Sequence, residues 1–210
     1  MLKVKICGIT NAEDYLAAAS LGADFVGFVF YGSSLRCVSP QSVQSMSKQF
    51  SLPVKKVGVF VNESIENIKK IVKEAELDIV QLHGDESPDF CRELDLPYWK
   101  VIRVRDRKSL EQMNRYDCRT FLLDTFVQDK PGGTSLSFDW KIAREAVANG
   151  FQIVIAGGIS SENIEALSSL QPYGIDVSSW LEEYPGKKSR EKMLKFFSII
   201  QRIRGENEQR

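Results

Sequence analysis

Eight times along this chain, a short apolar run rich in β-branched residues is followed by a stretch with helical spacing. The strand candidates are residues 3–7, 25–30, 56–61, 79–82, 98–102, 120–123, 152–155 and 174–177. The helical stretches are 11–21, 40–50, 64–74, 87–94, 108–115, 139–149, 161–168 and 189–204. Start signals support several of the helices, among them Ser64, Asp139 and the run Ser160-Ser161-Glu162-Asn163. Uniform alternation predicts a parallel sheet, because parallel neighbours need a helical crossover. Eight units close into a (β/α)8 barrel, whereas an open doubly wound sheet more often has about five or six strands. The expected architecture is therefore a single-domain α/β TIM barrel over residues 1–204, with a polar tail at 205–210.

Composition narrows the function. The 210 residues include 28 Lys plus Arg and 28 Asp plus Glu, a zero net charge that argues against a general nucleic-acid or membrane-surface binder. No run of apolar residues is long enough to span a bilayer, and the N-terminus enters a strand without a signal-peptide pattern. Cys7, Cys37, Cys91 and Cys118 are far apart and form no paired motif, so free thiols in a cytoplasmic protein are expected. The single histidine, His83, rules out a multi-histidine metal site, and none is expected.

A barrel of this type binds ligands at the C-terminal ends of its strands. Those ends carry Cys7, Arg36, Gln81, His83, Asp124, the pair Gly157-Gly158, and the run Asp176-Val177-Ser178-Ser179. The loops after the seventh and eighth strands are the usual phosphate cradle of this fold. Gly157 and Gly158 would let backbone N–H groups approach an anion, and the following helix would present its positive end. Taken singly, the two glycines read equally well as a tight turn.

The motifs together carry a family resemblance. They are Lys5-Ile6-Cys7-Gly8-Ile9-Thr10, Gly27-Phe28-Val29-Phe30, Ser34-Leu35-Arg36, Gln81-Leu82-His83-Gly84, Leu122-Leu123-Asp124, Gly132-Gly133-Thr134, Ala156-Gly157-Gly158-Ile159, and Asp176-Val177-Ser178-Ser179 with Pro185-Gly186-Lys187. In this order they resemble the phosphoribosylanthranilate isomerases of tryptophan biosynthesis, over essentially the whole chain. The resemblance implies an Amadori rearrangement of an aminoaldose phosphate to an aminoketose phosphate, without a cofactor. It implies Cys7 as general base, Asp124 as general acid, and Arg36 as the partner of the anthranilate carboxylate. Gln81 and Asp176 would hydrogen-bond sugar hydroxyls or serve as structural polar caps. Gly157, Gly158, Ser178 and Ser179 would hold the phosphate. His83 is expected to be a core or supporting histidine, and Lys187-Lys188-Ser189-Arg190 a solvated helix start.

The chemistry sets conditions. A cysteine with an ordinary pKa of about 8.5 is mostly thiol at neutral pH, so a base at Cys7 calls for a lowered value. An acid at Asp124 must hold its proton near neutrality, which calls for burial. Cys7 otherwise reads as a small buried hydrophobe, and Asp124 as a helix cap or a structural hydrogen-bond acceptor. Two positions depart from the family pattern. Trp180 and Ser135 stand where the family commonly has glycine. Trp180 still carries a backbone N–H and can be the first helical residue with the phosphate cradle intact; the alternative is that its indole narrows the mouth or stacks on the ligand.

Three rival readings remain. The sister isomerase of histidine biosynthesis uses an aspartate at the first strand and has two phosphate sites; here Gly32-Ser33-Ser34 is a poor second candidate. A non-catalytic barrel would bind a phosphate ligand without turnover. An epimerase of the ribulose-phosphate type would need metal-ligating histidines. The expected partner is a small phosphorylated substrate, and the expected state is a monomer, with a dimer as the alternative.

Overall fold

In a computed structural model of the chain, residues 1–50, 52–125 and 139–208 are described, with side chains to residue 205. Eight parallel strands close into one barrel: β1 (Lys3–Cys7), β2 (Phe25–Val29), β3 (Lys55–Phe60), β4 (Ile79–Leu82), β5 (Tyr98–Val104), β6 (Thr120–Thr125), β7 (Gln152–Ile155) and β8 (Gly174–Val177). β8 returns to β1, where Lys5 stands opposite Asp176. Six helices connect or cover the strands up to β8: α1 (Ala12–Ser20), α2 (Pro40–Gln49), α3 (Ile65–Ala75), α4 (Pro88–Leu94), α5 (Trp140–Ala148) and α6 (Ile164–Ser168). The last helix, α7, runs from Arg190 to Glu208.

Local chemistry starts the helices where the sequence predicts. The side chains of Asn11, Ser39, Ser64 and Ser87 accept hydrogen bonds from backbone N–H groups in the first turns of α1 to α4. Pro40 and Pro88 add a fixed φ at the first helical position, where no N–H is needed. Each such cap is worth about 1 kcal/mol.

Strand alternation sorts side chains into two layers. The outward set, including Val4, Ile6, Val26, Phe28, Leu82, Phe121, Leu123 and Ile155, packs against the helices. The inward set plugs the barrel with Phe25, Val57, Trp99, Val101, Leu122, Val154 and Ala156. Within that plug the Phe25 and Trp99 rings meet edge to face at 4.9 Å. Above it the small group of Cys7, Val29 and Val59 lines the opening.

Three elements differ from the sequence expectation. The stretch expected as a helix over 108–115 is a 3-10 helix, Arg107–Arg115. It buries only Ser109 and Met113, and so lacks the apolar stripe that drives an α-helix. α6 is only five residues long, because Asn163 is engaged ahead of it: its amide donates to Gly158 O at 2.7 Å and accepts from Ser160 N at 2.9 Å. Of the expected solvated helix start at 187–190, Arg190 does begin α7, but Lys187 and Lys188 form half of a small antiparallel pair, β9 (Glu182–Tyr184) and β10 (Lys187–Lys188). Pro185 and Gly186, the latter at φ 90°, turn the chain between them. The turn aims Lys188 inward, and its side chain is fully buried.

Candidate active site

β1 supplies two inward side chains to the barrel opening, Lys5 and Cys7, because residues two apart share a face. Lys5 is 1% exposed and its ammonium pairs with Asp176 Oδ2 at 2.9 Å. The other oxygen of that carboxylate, Asp176 Oδ1, is buried without a hydrogen-bond partner. Opposite Cys7 on β2 stands Gly27. A Cβ there would lie 2.8 Å from Cys7 Sγ and 2.9 Å from Lys5 Nζ. Glycine is therefore required to let the thiol and the ammonium occupy the same corner.

Burial pushes the Cys7 thiol above its ordinary value, and the Asp176 carboxylate adds to the rise. Lys5 and Lys188 oppose it. The balance is upward, opposite to the lowered value expected for a base. The expectation lacked the desolvation of a 9% exposed thiol and the carboxylate across from it. For Lys5, burial pulls the ammonium down, but Asp176 and Cys7 outweigh it and hold it above its ordinary value.

A second group lines the side of β4 and β6. Asp124 is 5% exposed, and its Oδ1 accepts from Thr125 N at 2.8 Å. His83 Nε2 lies 3.3 Å from Asp124 Oδ2 without completing a hydrogen bond. On its other side, His83 Nδ1 is 3.2 Å from the Gln81 amide nitrogen. If that amide donates, the imidazole proton sits on Nε2, facing Asp124. Gln81 Oε1 is buried and unpartnered. The lone histidine is thus linked to Asp124 and Gln81 at the mouth.

The third group is ionic. Arg36 grips Glu182 with two bonds, Nε to Oε1 at 2.8 Å and Nη2 to Oε2 at 2.6 Å. Lys188 Nζ donates to Glu182 Oε1 at 2.9 Å, to Cys7 O at 2.6 Å and to Ser178 O at 3.2 Å. Burial lowers the Lys188 ammonium against the pull of Glu182. Burial works to raise the Glu182 carboxyl, but Arg36 and Lys188 outweigh it and hold it below its ordinary value. The Ser178 hydroxyl also donates to Cys7 O, at 3.1 Å. Strand β1 is thereby tied to the loop after β8. Gly8, at φ 77°, lies under Arg36, whose Cδ would be 2.5 Å from an added Cβ.

The loops after the adjacent strands β7 and β8 carry Gly157 and Gly158, at φ 83° and 63°, and Ser178 and Ser179. Both glycines are in the left-handed region, which ordinary residues avoid. The short 3-10 turn Ser179–Leu181 follows β8. Trp180 in that turn packs its indole toward α7, 6.3 Å from the Phe196 ring. It joins the outer core, and so does not take the alternative in which the indole narrows the mouth. Ser135 and the Gly132-Gly133-Thr134 run lie outside the described residues.

The sequence positions Cys7, Arg36, Asp176 and Ser178 form one linked cluster, and Gln81 is linked to Asp124 through His83. Sequence reasoning missed Lys5, Glu182 and Lys188. Lys5 had a readable signal, a charged residue on the inward face of β1 two places before Cys7. Glu182 and Lys188 had none, since their burial depends on the fold of the Pro185-Gly186 turn.

No helix among the described residues is long and apolar enough to cross a membrane. The sequence profile of N-(5′-phosphoribosyl)anthranilate isomerase matches residues 4–199. The chain is 45% identical over 208 residues to the N-(5′-phosphoribosyl)anthranilate isomerase of Pelobacter propionicus, covering 99% of each. Among solved structures, that of the Thermus thermophilus phosphoribosylanthranilate isomerase superposes with a TM-score of 0.89 at 33% identity, covering 96% of this chain and all of that one. A phosphoribosylanthranilate isomerase in complex with reduced 1-(o-carboxyphenylamino)-1-deoxyribulose 5-phosphate superposes at 0.84 with 36% identity, covering 94% of this chain and 97% of that one. A polar barrel mouth in a chain so matched, end to end, leads to one assignment: the chain belongs to the N-(5′-phosphoribosyl)anthranilate isomerase family.

Proposed function

We propose that Cys7 and Asp124 divide the acid–base work of the isomerisation that defines this family. The reaction is the Amadori rearrangement of N-(5′-phosphoribosyl)anthranilate to 1-(2-carboxyphenylamino)-1-deoxyribulose 5-phosphate, a step of tryptophan biosynthesis. Asp124 gives a proton to the furanose ring oxygen as the C1–O bond breaks, which leaves an open-chain Schiff base. Cys7, as thiolate, takes the proton from C2. The electron pair moves to form the enolamine, and protonation at C1 with loss of the C2 hydroxyl proton yields the ketone. No electron leaves the substrate, so no redox cofactor is needed.

The observation that carries this reading is the place of Cys7 at the barrel opening, sharing with the Lys5 ammonium the corner that Gly27 leaves free. A thiol facing the barrel opening has Lys5, Lys188 and Arg36 around it and one opposing carboxylate, Asp176. Asp124, buried on β6 three strands away around the ring, supplies the separate carboxyl that the ring oxygen requires.

The remaining roles follow from geometry and chemistry. Glu182 occupies the Nε–Nη2 edge of Arg36, which leaves the Nη1 edge to meet the anthranilate carboxylate. The unpartnered Gln81 Oε1 and Asp176 Oδ1 are acceptors for the sugar hydroxyls. Backbone N–H groups at Gly157, Gly158, Ser178 and Ser179 take the phosphate. Four unpaired thiols fit the reducing cytoplasm. The chain acts as a monomer, whereas the Thermotoga maritima relative is described as dimeric; light scattering at a single-chain mass supports this, and a doubled mass contradicts it.

Asp124→Asn tests the acid. Steady-state assay should show kcat lower by about 10²–10⁴ with an unchanged circular dichroism spectrum. A kcat near wild type would remove Asp124 from the role.

A further inference from the structure

We infer that Lys5 is the counter-ion that charges Cys7, and that Asp176 restrains it by holding the same ammonium; the inference rests on Cys7 being the base. Lys5 is a positioning residue in this scheme, since it acts through the thiol and touches no reacting atom.

The geometry carries the argument. Lys5 and Cys7 leave the same face of β1, and both reach the space left empty at Gly27. A lysine ammonium 1% exposed inside a barrel is costly unless an anion accompanies it. Two anions compete for it here. Asp176 Oδ2 holds it at 2.9 Å, and the Cys7 thiolate is the other. The Asp176 carboxylate also bears directly on Cys7, against ionisation.

The groups facing Cys7 can be named from each element packed on it. Lys5 faces it from its own strand, Asp176 from β8, Lys188 from β10 and Arg36 from the loop after β2. Glu182 neutralises much of the last two, with one bond from Lys188 and two from Arg36. Lys5 is left as the cation whose partner is undecided between the carboxylate and the thiolate.

Asp176 Oδ1 is buried and has no partner. A hydroxyl donating to it would spread the carboxylate charge, weaken its hold on Lys5 and lower its field at Cys7. Substrate binding at that oxygen would then release Lys5 toward the Cys7 sulfur. Asp176→Asn imitates the released state without any ligand.

The test is the pH dependence of Cys7 alkylation by iodoacetamide in the free enzyme, read by mass spectrometry of the Cys7 peptide. Removing an opposite charge at this range should move the Cys7 midpoint by about one unit or more, and neutralising a like charge should move it as far the other way. Lys5→Met is expected to raise the midpoint, Asp176→Asn to lower it, and Lys5→Arg to keep it near wild type. If Lys5→Met does not fold, Asp176→Asn decides. A Cys7 midpoint within about 0.3 unit of wild type in the folded variants overturns the inference, because a purely structural pair would leave the thiol's titration in place. The measurement needs no turnover, so failure of Cys7 as base, read from Cys7→Ser activity, is distinguishable from failure of this inference.

Discussion

A guanidinium, a carboxylate and an ammonium decide how much of the mouth is preset before substrate arrives. Arg36 is gripped along one edge by Glu182, and Lys188 completes the group, which fixes the guanidinium plane. Arg36→Met should therefore raise KM by about tenfold or more with a smaller change in kcat. Lys188 keeps the buried Glu182 partnered, so the variant should still fold. Michaelis curves test this, and an unchanged KM would take Arg36 off the anthranilate end. At this scale, legibility followed distance along the chain. The place of Cys7, Asp124 and Asp176 at the barrel opening was readable because the C-terminal strand ends of this fold face that opening. Lys5 pairs with a residue 171 positions away, and Lys188 bonds to Cys7 O across 181 positions. No local pattern announces such partners.

Among the elements, the eight strands and most of the helices were readable because their signals are local: short apolar runs, helical spacing, and N-cap side chains such as Ser64 and Asp139. The segment between β8 and α7 was not, because tertiary burial determines it. There Trp180 leaves the mouth and packs beside Phe196, while β9 and β10 carry Glu182 and Lys188 inward. Trp180→Gly should then cost about 1–3 kcal/mol of stability from lost packing. It should change KM little, because the indole faces α7. Denaturant unfolding and a substrate titration check both. Unchanged stability with a large change in KM would return Trp180 to the ligand side. Asn163 is a second element-scale anchor, since it ties Gly158 and Ser160 together ahead of α6.

The whole barrel closes because eight repeated units leave no sheet edge, and that count was present in the sequence. Packing in the outer layer also covers thiols, with a consequence for pH. Burial pushes Cys91 and Cys118 up to about 11. A raised folded-state pKa adds stability that is fully present below the unfolded value and lost as pH climbs through the folded one. Stability should hold to about pH 9 and fall toward pH 11. Replacing both thiols by alanine should flatten that fall in denaturation curves taken across pH, whereas an unaltered slope would assign the loss elsewhere. The central claim is that this barrel isomerises phosphoribosylanthranilate with Cys7 as its base. It is tested most directly by turnover on freshly generated substrate, followed by loss of substrate fluorescence, with wild type beside Cys7→Ser. Robust wild-type turnover that falls by about 10²–10⁴ in a folded Cys7→Ser is the predicted result. A wild-type enzyme without turnover, or a Cys7→Ser variant as fast as wild type, would contradict it.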